Sequence, residues 1–195
     1  MIKNKKQLYN TKTRHALQIL EAGLDAAKPD RFLFRFIRKE KLHVNKKSYL
    51  LSKYSKIHIV AVGKAADSMA KFVHDKICVD SGIVVIPQNY NSVLSAKNFK
   101  IFQAGHPIPN EASVIAARSI IKLVKGAKKE DLIIFLVSGG ASALICLPDG
   151  ITLGQKQQIT QMLLRCGASI KEVNALRKHL SQIKGGRLLE HLNCT

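Results

Sequence analysis

The chain has 195 residues, 46% of them hydrophobic, and 32 Lys and Arg against 13 Asp and Glu, for a formal net charge of +19. That length and apolar content support a sizeable core and exclude a disordered chain, while the longest apolar run, Leu132 to Val137, falls far short of the ~20 residues a membrane-spanning helix needs. The basic excess is weighted towards residues 1–60, which hold 15 basic and 4 acidic side chains, and it suits either a polyanion-binding surface or an enzyme with phosphorylated or carboxylated substrates.

The first ten residues, MIKNKKQLYN, carry lysines with no apolar run behind them, so they do not read as a secretory signal. The expected address is the cytoplasm, with residues 1–12 flexible and residues 1–195 forming one domain. Cys78, Cys146, Cys166 and Cys194 are scattered without a CxxC pair, so each reads as a small buried hydrophobe with a free thiol, and no zinc site is expected.

Leu17, Leu20 and Leu24 recur at helical spacing between Thr13 and Ala27, and after Pro29 a second amphipathic helix is expected over Arg31 to Arg38. A polar connector, Asn45 to Lys56, leads to KIHIVAVG, residues 56–63, a buried strand ending at a glycine. The next segment, Lys64 to Lys76, has a helical period, so strand, glycine turn and helix follow one another as in an α/β unit.

Further strands are expected at 82–87 and 99–104. GHPIPN closes the second of these with two prolines that delay a helix until Asn110 can cap one, over Glu111 to Lys125. Asp131 to Val137 is the fourth strand, and it breaks into Ser138-Gly139-Gly140-Ala141-Ser142 before a helix expected from Ala143. Beyond Pro148, Thr152 with Gln155 and Ser169 with Glu172 make two capping boxes. The first opens a helix with Ile159, Met162, Leu163 and Cys166 on its apolar side; the second opens one striped by Val173, Leu176 and Leu180. Arg187 begins a last helix. The whole predicts an α/β, Rossmann-like, doubly wound and mostly parallel sheet with additional N- and C-terminal helices.

Small and polar residues collect at the element ends. Lys64 opens a helix, where the macrodipole disfavours a cation by up to ~1 kcal/mol unless an anion shares the site; it is either a phosphate contact or a surface lysine at a frayed turn. The surroundings match neither GxxxxGK[ST] nor GxGxxG, which removes a P-loop and a dinucleotide fingerprint. The Ser138–Ser142 loop is either an anion nest of converging N–H groups or a plain chain reversal. His106 is an electrostatic contact or a turn residue. Asn174, Arg177, Lys178 and Ser181, with Lys184-Gly185-Gly186 following, are a ligand-facing stripe or a solvated helix face.

VAVGKAADSMA (60–70), AGHPIPNEAS (104–113), VSGGASALICLPDGITL (137–153) and GASIKEVNALRKHLSQIKGGRLL (167–189) together resemble, in order and spacing, the N-terminal domain of the MOFRL-type glycerate 2-kinases. The resemblance implies ATP- and Mg2+-dependent phosphorylation of D-glycerate to 2-phosphoglycerate. It implies that Lys64 is the active-site lysine, and that His106, Ser138, Gly139, Gly140, Ser142, Asn174, Arg177, Lys178 and Lys184 line the substrate or nucleotide cleft. Asp149 and Glu172 are the candidate magnesium ligands. Kinases of this family are about twice as long, and a second domain closes their cleft, so the resemblance also implies a complementary domain, on a separate chain if necessary. The alternatives are a non-catalytic basic module binding nucleic acid or another polyanion, and an inactive remnant. No aromatic-interleaved basic patch accompanies the charge, which weighs against nucleic acid.

Overall fold

The computed structural model of the chain describes residues 2, 4–38 and 40–192, and its contacts divide into two units, Met1–Leu50 and Leu51–Thr195. Cys194, expected to be a buried thiol, lies outside the described residues.

The first unit contains helices α1 (Lys5–Leu8), α2 (Arg14–Ala26) and α3 (Pro29–Leu33), then an antiparallel meander of β1 (Ile37–Arg38), β2 (Lys41–Val44) and β3 (Lys47–Leu50). Helix α2 follows its leucine spacing and buries Leu17, with Leu20 and Leu24 exposed. Pro29 sits in the first turn of α3, where a missing N–H costs no helical hydrogen bond.

Two expectations fail here. The helix expected over Arg31 to Arg38 stops at Leu33 and gives way to β1, and the connector expected over Asn45 to Lys56 holds β3 and a 3-10 turn, Leu51–Lys53. The cause is a tight hairpin: Asn45 takes φ +54°, so a two-residue turn joins Val44 to its partner Lys47. Asparagine tolerates that left-handed geometry, but Asn-Lys without a glycine is a weak turn signal.

In the second unit, β4 (Ile57–Val62), α4 (Ala66–His74), β5 (Ser81–Pro87), β6 (Phe99–Ala104), α5 (Glu111–Gly126) and β7 (Leu132–Val137) succeed one another. All four strands are parallel, in the order β6-β5-β4-β7. Because parallel crossovers are right-handed, a sheet that grows first one way and then the other carries α4 and α5 on opposite faces. On one face Val60, Val62, Ile83 and Val85 pack with Ala116, Ile120 and Val124 of α5. The alternate residues Ile59, Ala61, Val84 and Ile86 are also fully buried, as the period of two demands, and α4 buries Ala66, Ala70 and Val73. The result is a mixed α/β fold with a four-stranded parallel sheet flanked by helices. Its direction of winding reverses between β4 and β7, where open parallel sheets hold ligands at the carboxyl ends of their strands.

The remaining elements are α6 (Ala141–Leu144), α7 (Leu153–Arg165), α8 (Ile170–His179) and a 3-10 segment, Arg187–His191. Both predicted capping boxes form, Thr152 with Gln155 and Ser169 with Glu172. The helix expected from Ala143 is only the single turn α6, and the last helix is 3-10 rather than α. Which face of α7 and α8 is buried also differs from expectation. Helix α7 buries Lys156 and Thr160 while Met162 and Cys166 are exposed, and α8 buries Val173 but leaves Leu176 exposed. Caps are local and readable; the buried face depends on partners distant in sequence. For the same reason Cys146 is buried as expected but Cys78 and Cys166 are exposed, all three with free thiols.

Asn110 fixes both the start of α5 and the loop before it. Its Oδ1 accepts from the N–H of Gly105 at 2.9 Å and of Ser113 at 3.2 Å, and Ser113 Oγ in turn accepts from the Asn110 N–H. Asn110→Ala should therefore cost about 1–2 kcal/mol, read as a fall in melting temperature of several degrees by circular dichroism, whereas Asn110→Asp keeps the acceptor and should retain most of the stability.

Candidate functional site

The site is assembled where β4 and β7 end side by side. Gly63 has φ +133°, and a Cβ added there would lie 2.7 Å from the Ser138 carbonyl oxygen, so only glycine permits this approach. The two loops are then stitched together. The Lys64 N–H donates to the Gly139 carbonyl at 2.8 Å, the Ala65 N–H donates to Ser138 Oγ at 3.0 Å, and the Ser138 N–H donates to the Val62 carbonyl at 2.9 Å.

Gly140, at φ +91°, turns the chain against the loop that follows β6. A Cβ there would fall 2.9 Å from His106 Cδ2 and 3.5 Å from Lys64 Cγ. Lys64, His106, Ser138, Gly139 and Gly140 thus share one location, although they come from three separate loops. Among the described residues the N–H groups of Gly139 and Gly140 have no acceptor and Lys64 makes no ion pair. A Cβ on Gly139 would meet nothing within 4 Å, so the turn is open on that side. Burial, and then repulsion from Lys64, hold His106 below its ordinary value, which keeps its imidazole neutral at pH 7.

Two residues further on, Ser142 enters a second cluster. It lines a cavity of about 280 Å³ together with Asn174, Arg177 and Lys178 of α8 and Lys184. Ser142, Arg177 and Lys184 also border Pro107, the neighbour of His106, so the two clusters adjoin. The ten residues that the resemblance assigns to the active-site lysine and the cleft therefore fall on one contiguous stretch of the second unit. Ser181 does not: it is 1% exposed and forms a bridge to Pro148, so the polar stripe of α8 ends before it.

Lys184 donates to the Ile145 carbonyl at 2.7 Å, and burial, reinforced by Lys156 and Arg177, lowers its pKa from 10.5 to about 8. Lys156 is the residue that sequence reasoning missed. It is 4% exposed, and its ammonium donates to the carbonyls of Leu180 at 2.8 Å and Arg177 at 3.4 Å. Desolvation lowers its pKa, and Arg177 lowers it further. A lysine on a helix with leucines and methionines around it reads as surface; no local signal marks it as buried. Lys156 holds the last turn of α8, and with it Arg177, against α7.

The candidate magnesium ligands are engaged elsewhere. Asp149 pairs with Arg187 at 2.6 Å, and the Glu172 carboxylate closes the Ser169 capping box at 2.7–2.8 Å. Among the described residues no group of three or more His, Cys, Asp or Glu could hold a metal. The carboxylates present do not fit a magnesium site. What the site offers is unpaired N–H groups and ammonium and guanidinium groups without carboxylates, a set suited to anions.

Because folding depresses the Lys184 pKa, the folded chain holds fewer protons than the unfolded one between about pH 8 and 10.5, and stability should rise with pH across that window. An anion bound beside Lys184 favours its charged form, so affinity for inorganic phosphate, followed through the Ser142 and Gly185 amide resonances, should fall several-fold between pH 7 and 9. Lys184→Arg, which stays charged, should remove that dependence.

Residues 15–195 match a family described as a domain of unknown function, DUF4147. A glycerate 2-kinase from Pyrococcus horikoshii is 35% identical over 182 residues, covering 92% of this chain and 40% of that protein. A D-glycerate 2-kinase from Thermotoga maritima is 36% identical over 180 residues, covering 91% and 40%. A crystal structure of a Pyrococcus horikoshii protein superposes with a TM-score of 0.81 at 33% identity, covering 96% of this chain and 43% of that one. The chain thus spans about 40% of the length of these curated relatives. With the fold, the order of its blocks and these identities in agreement, the chain belongs to the glycerate kinase family that carries the DUF4147 domain.

Proposed function

We propose that this chain supplies one wall of a kinase cleft that transfers the γ-phosphoryl group of ATP to the 2-hydroxyl of D-glycerate, yielding 2-phosphoglycerate and ADP. The observation that carries the reading is the pair of Gly139 and Gly140 N–H groups, unengaged among the described residues, beside Lys64, which makes no ion pair among them, at the point where the winding of the sheet reverses.

Phosphoryl transfer asks little covalent chemistry of the protein; positioning and neutralisation of charge supply most of the rate. The glycerate O2 bonds to the γ-phosphorus as the bond from that phosphorus to the β,γ-bridging oxygen breaks, ADP departs, and the hydroxyl proton is released. Lys64 stabilises charge on the transferred group, and the Gly139 and Gly140 amides hold a phosphate or the glycerate carboxylate. Neutral His106 adds a polar contact at the same place without a second cation. Arg177 or Lys178 takes the other anion from across the 280 Å³ cavity. Donors already fixed by folding need not reorganise when charge develops, and this is where such sites gain most.

The remaining length of the relatives supplies the facing wall, whether continuous with this segment or carried by a separate chain. A coupled assay of ADP release from D-glycerate, ATP and magnesium, run with this chain and the complementary portion, should show turnover. Lys64→Ala should lower kcat/KM by roughly 10²–10³. Turnover undiminished by that substitution would remove the role given to Lys64, and no turnover by the completed assembly would remove the activity.

A further inference from the structure

The other end of the same sheet holds a second cavity, of about 430 Å³, at the amino ends of the strands. It begins one β4 length from Lys64, ~17 Å at ~3.3 Å per residue, so an occupant there would not collide with one at the candidate active site. Its size lies within the range of small-molecule pockets.

The floor is polar, buried and internally satisfied. His58 and Asp131 are 9% and 3% exposed, and their side chains face each other with Nε2 and Oδ2 3.7 Å apart. His58 Nδ1 lies 2.9 Å from Ser81 Oγ, and the Asp131 carboxylate accepts from the Lys128 N–H at 2.8 Å. That backbone hydrogen bond, with the nearby His58, holds Asp131 below its ordinary value, so it is a fixed negative charge.

The rim is cationic. Lys56, Lys100, Lys122 and Lys128 surround the opening, and among the described residues none of their ammonium groups makes a hydrogen bond or an ion pair. Of the four ammonium groups that of Lys56 acts on Asp131, at longer range. The last turn of α5 also borders the cavity and brings about half a negative charge with it. Among the lining groups, four positive charges against one carboxylate and that half charge leave an excess of about two to three, and Asp80, which accepts from the Ile57 N–H beside Lys56, lowers the local excess towards two. The Ser119 hydroxyl, without a partner among the described residues, adds a neutral donor on the wall.

We infer that this cavity is a second anion site, taking a small phosphorylated molecule with about two negative charges. It stands apart from the kinase reading and does not depend on it.

Inorganic pyrophosphate is the probe, titrated into the full chain at neutral pH and ~0.1 M salt, with amide resonances as the readout. The Gly82, Lys100 and Gly126 amides should shift together along one saturable curve. Lys100→Glu with Lys122→Glu, both exposed positions, should weaken that binding at least tenfold, and Lys100→Gln with Lys122→Gln should weaken it to a smaller degree. Lys64→Ala should leave it unchanged. Shifts confined to Gly139 and Gly140 would overturn the inference. So would an equal loss from Lys12→Glu with Lys46→Glu, which would mean that bulk charge alone is being sensed. Citrate binding the same amides as tightly as pyrophosphate would overturn the assignment to phosphate.

Discussion

The in-register pairing of β4 with β7 is the constraint on which the rest of this structure depends. Val62 stands opposite Val137, so the residues that leave the sheet next, Gly63 and Ser138, must share the same few ångströms. Glycine makes that crowding possible, and the hydrogen bonds from Lys64 to Gly139 and from Ala65 to Ser138 make it stable. A register slip of one residue would exchange the two faces of β7 and separate the lysine from the glycine turn. The chemistry at the strand ends is therefore a product of core packing some distance below it.

The second theme is cationic charge that the protein does not neutralise with acids. Lys156, Arg177 and Lys184 lie within one another's electrostatic influence, and the acceptors for Lys156 and Lys184 are main-chain carbonyls. Carbonyl oxygens satisfy the donors but leave the net charge in place. Removing ammonium groups from water without a counter-ion is costly, and the depressed pKa values of both lysines are the sign of that cost.

The sheet was legible because its strands carry short apolar runs bounded by glycine and proline, and because strand and helix alternate at short intervals. The capping boxes were legible because each is complete within four residues. The hairpin from Lys41 to Leu50 was not, since its turn rests on Asn45 in a left-handed conformation and not on a glycine. The inward face of α7 was not, since Lys156 turns inward only because the end of α8 is there to receive it. At the site, Lys64 and the Ser138–Ser142 loop could be picked out as odd residues at element ends. That they meet could not, because residue composition carries no information about which strand neighbours which. The second cavity left no trace for the same reason: its lysines come from separate segments and look like ordinary surface.

The grip of Lys156 on α8 has an uneven heredity. Its acceptors are the backbone oxygens of Arg177 and Leu180, which any residue type supplies at those two positions, so this contact does not depend on the side chains there. In this contact only position 156 contributes through its side chain. Substitutions at Asn174, Arg177 and Lys178 therefore leave the backbone oxygens that Lys156 holds in place.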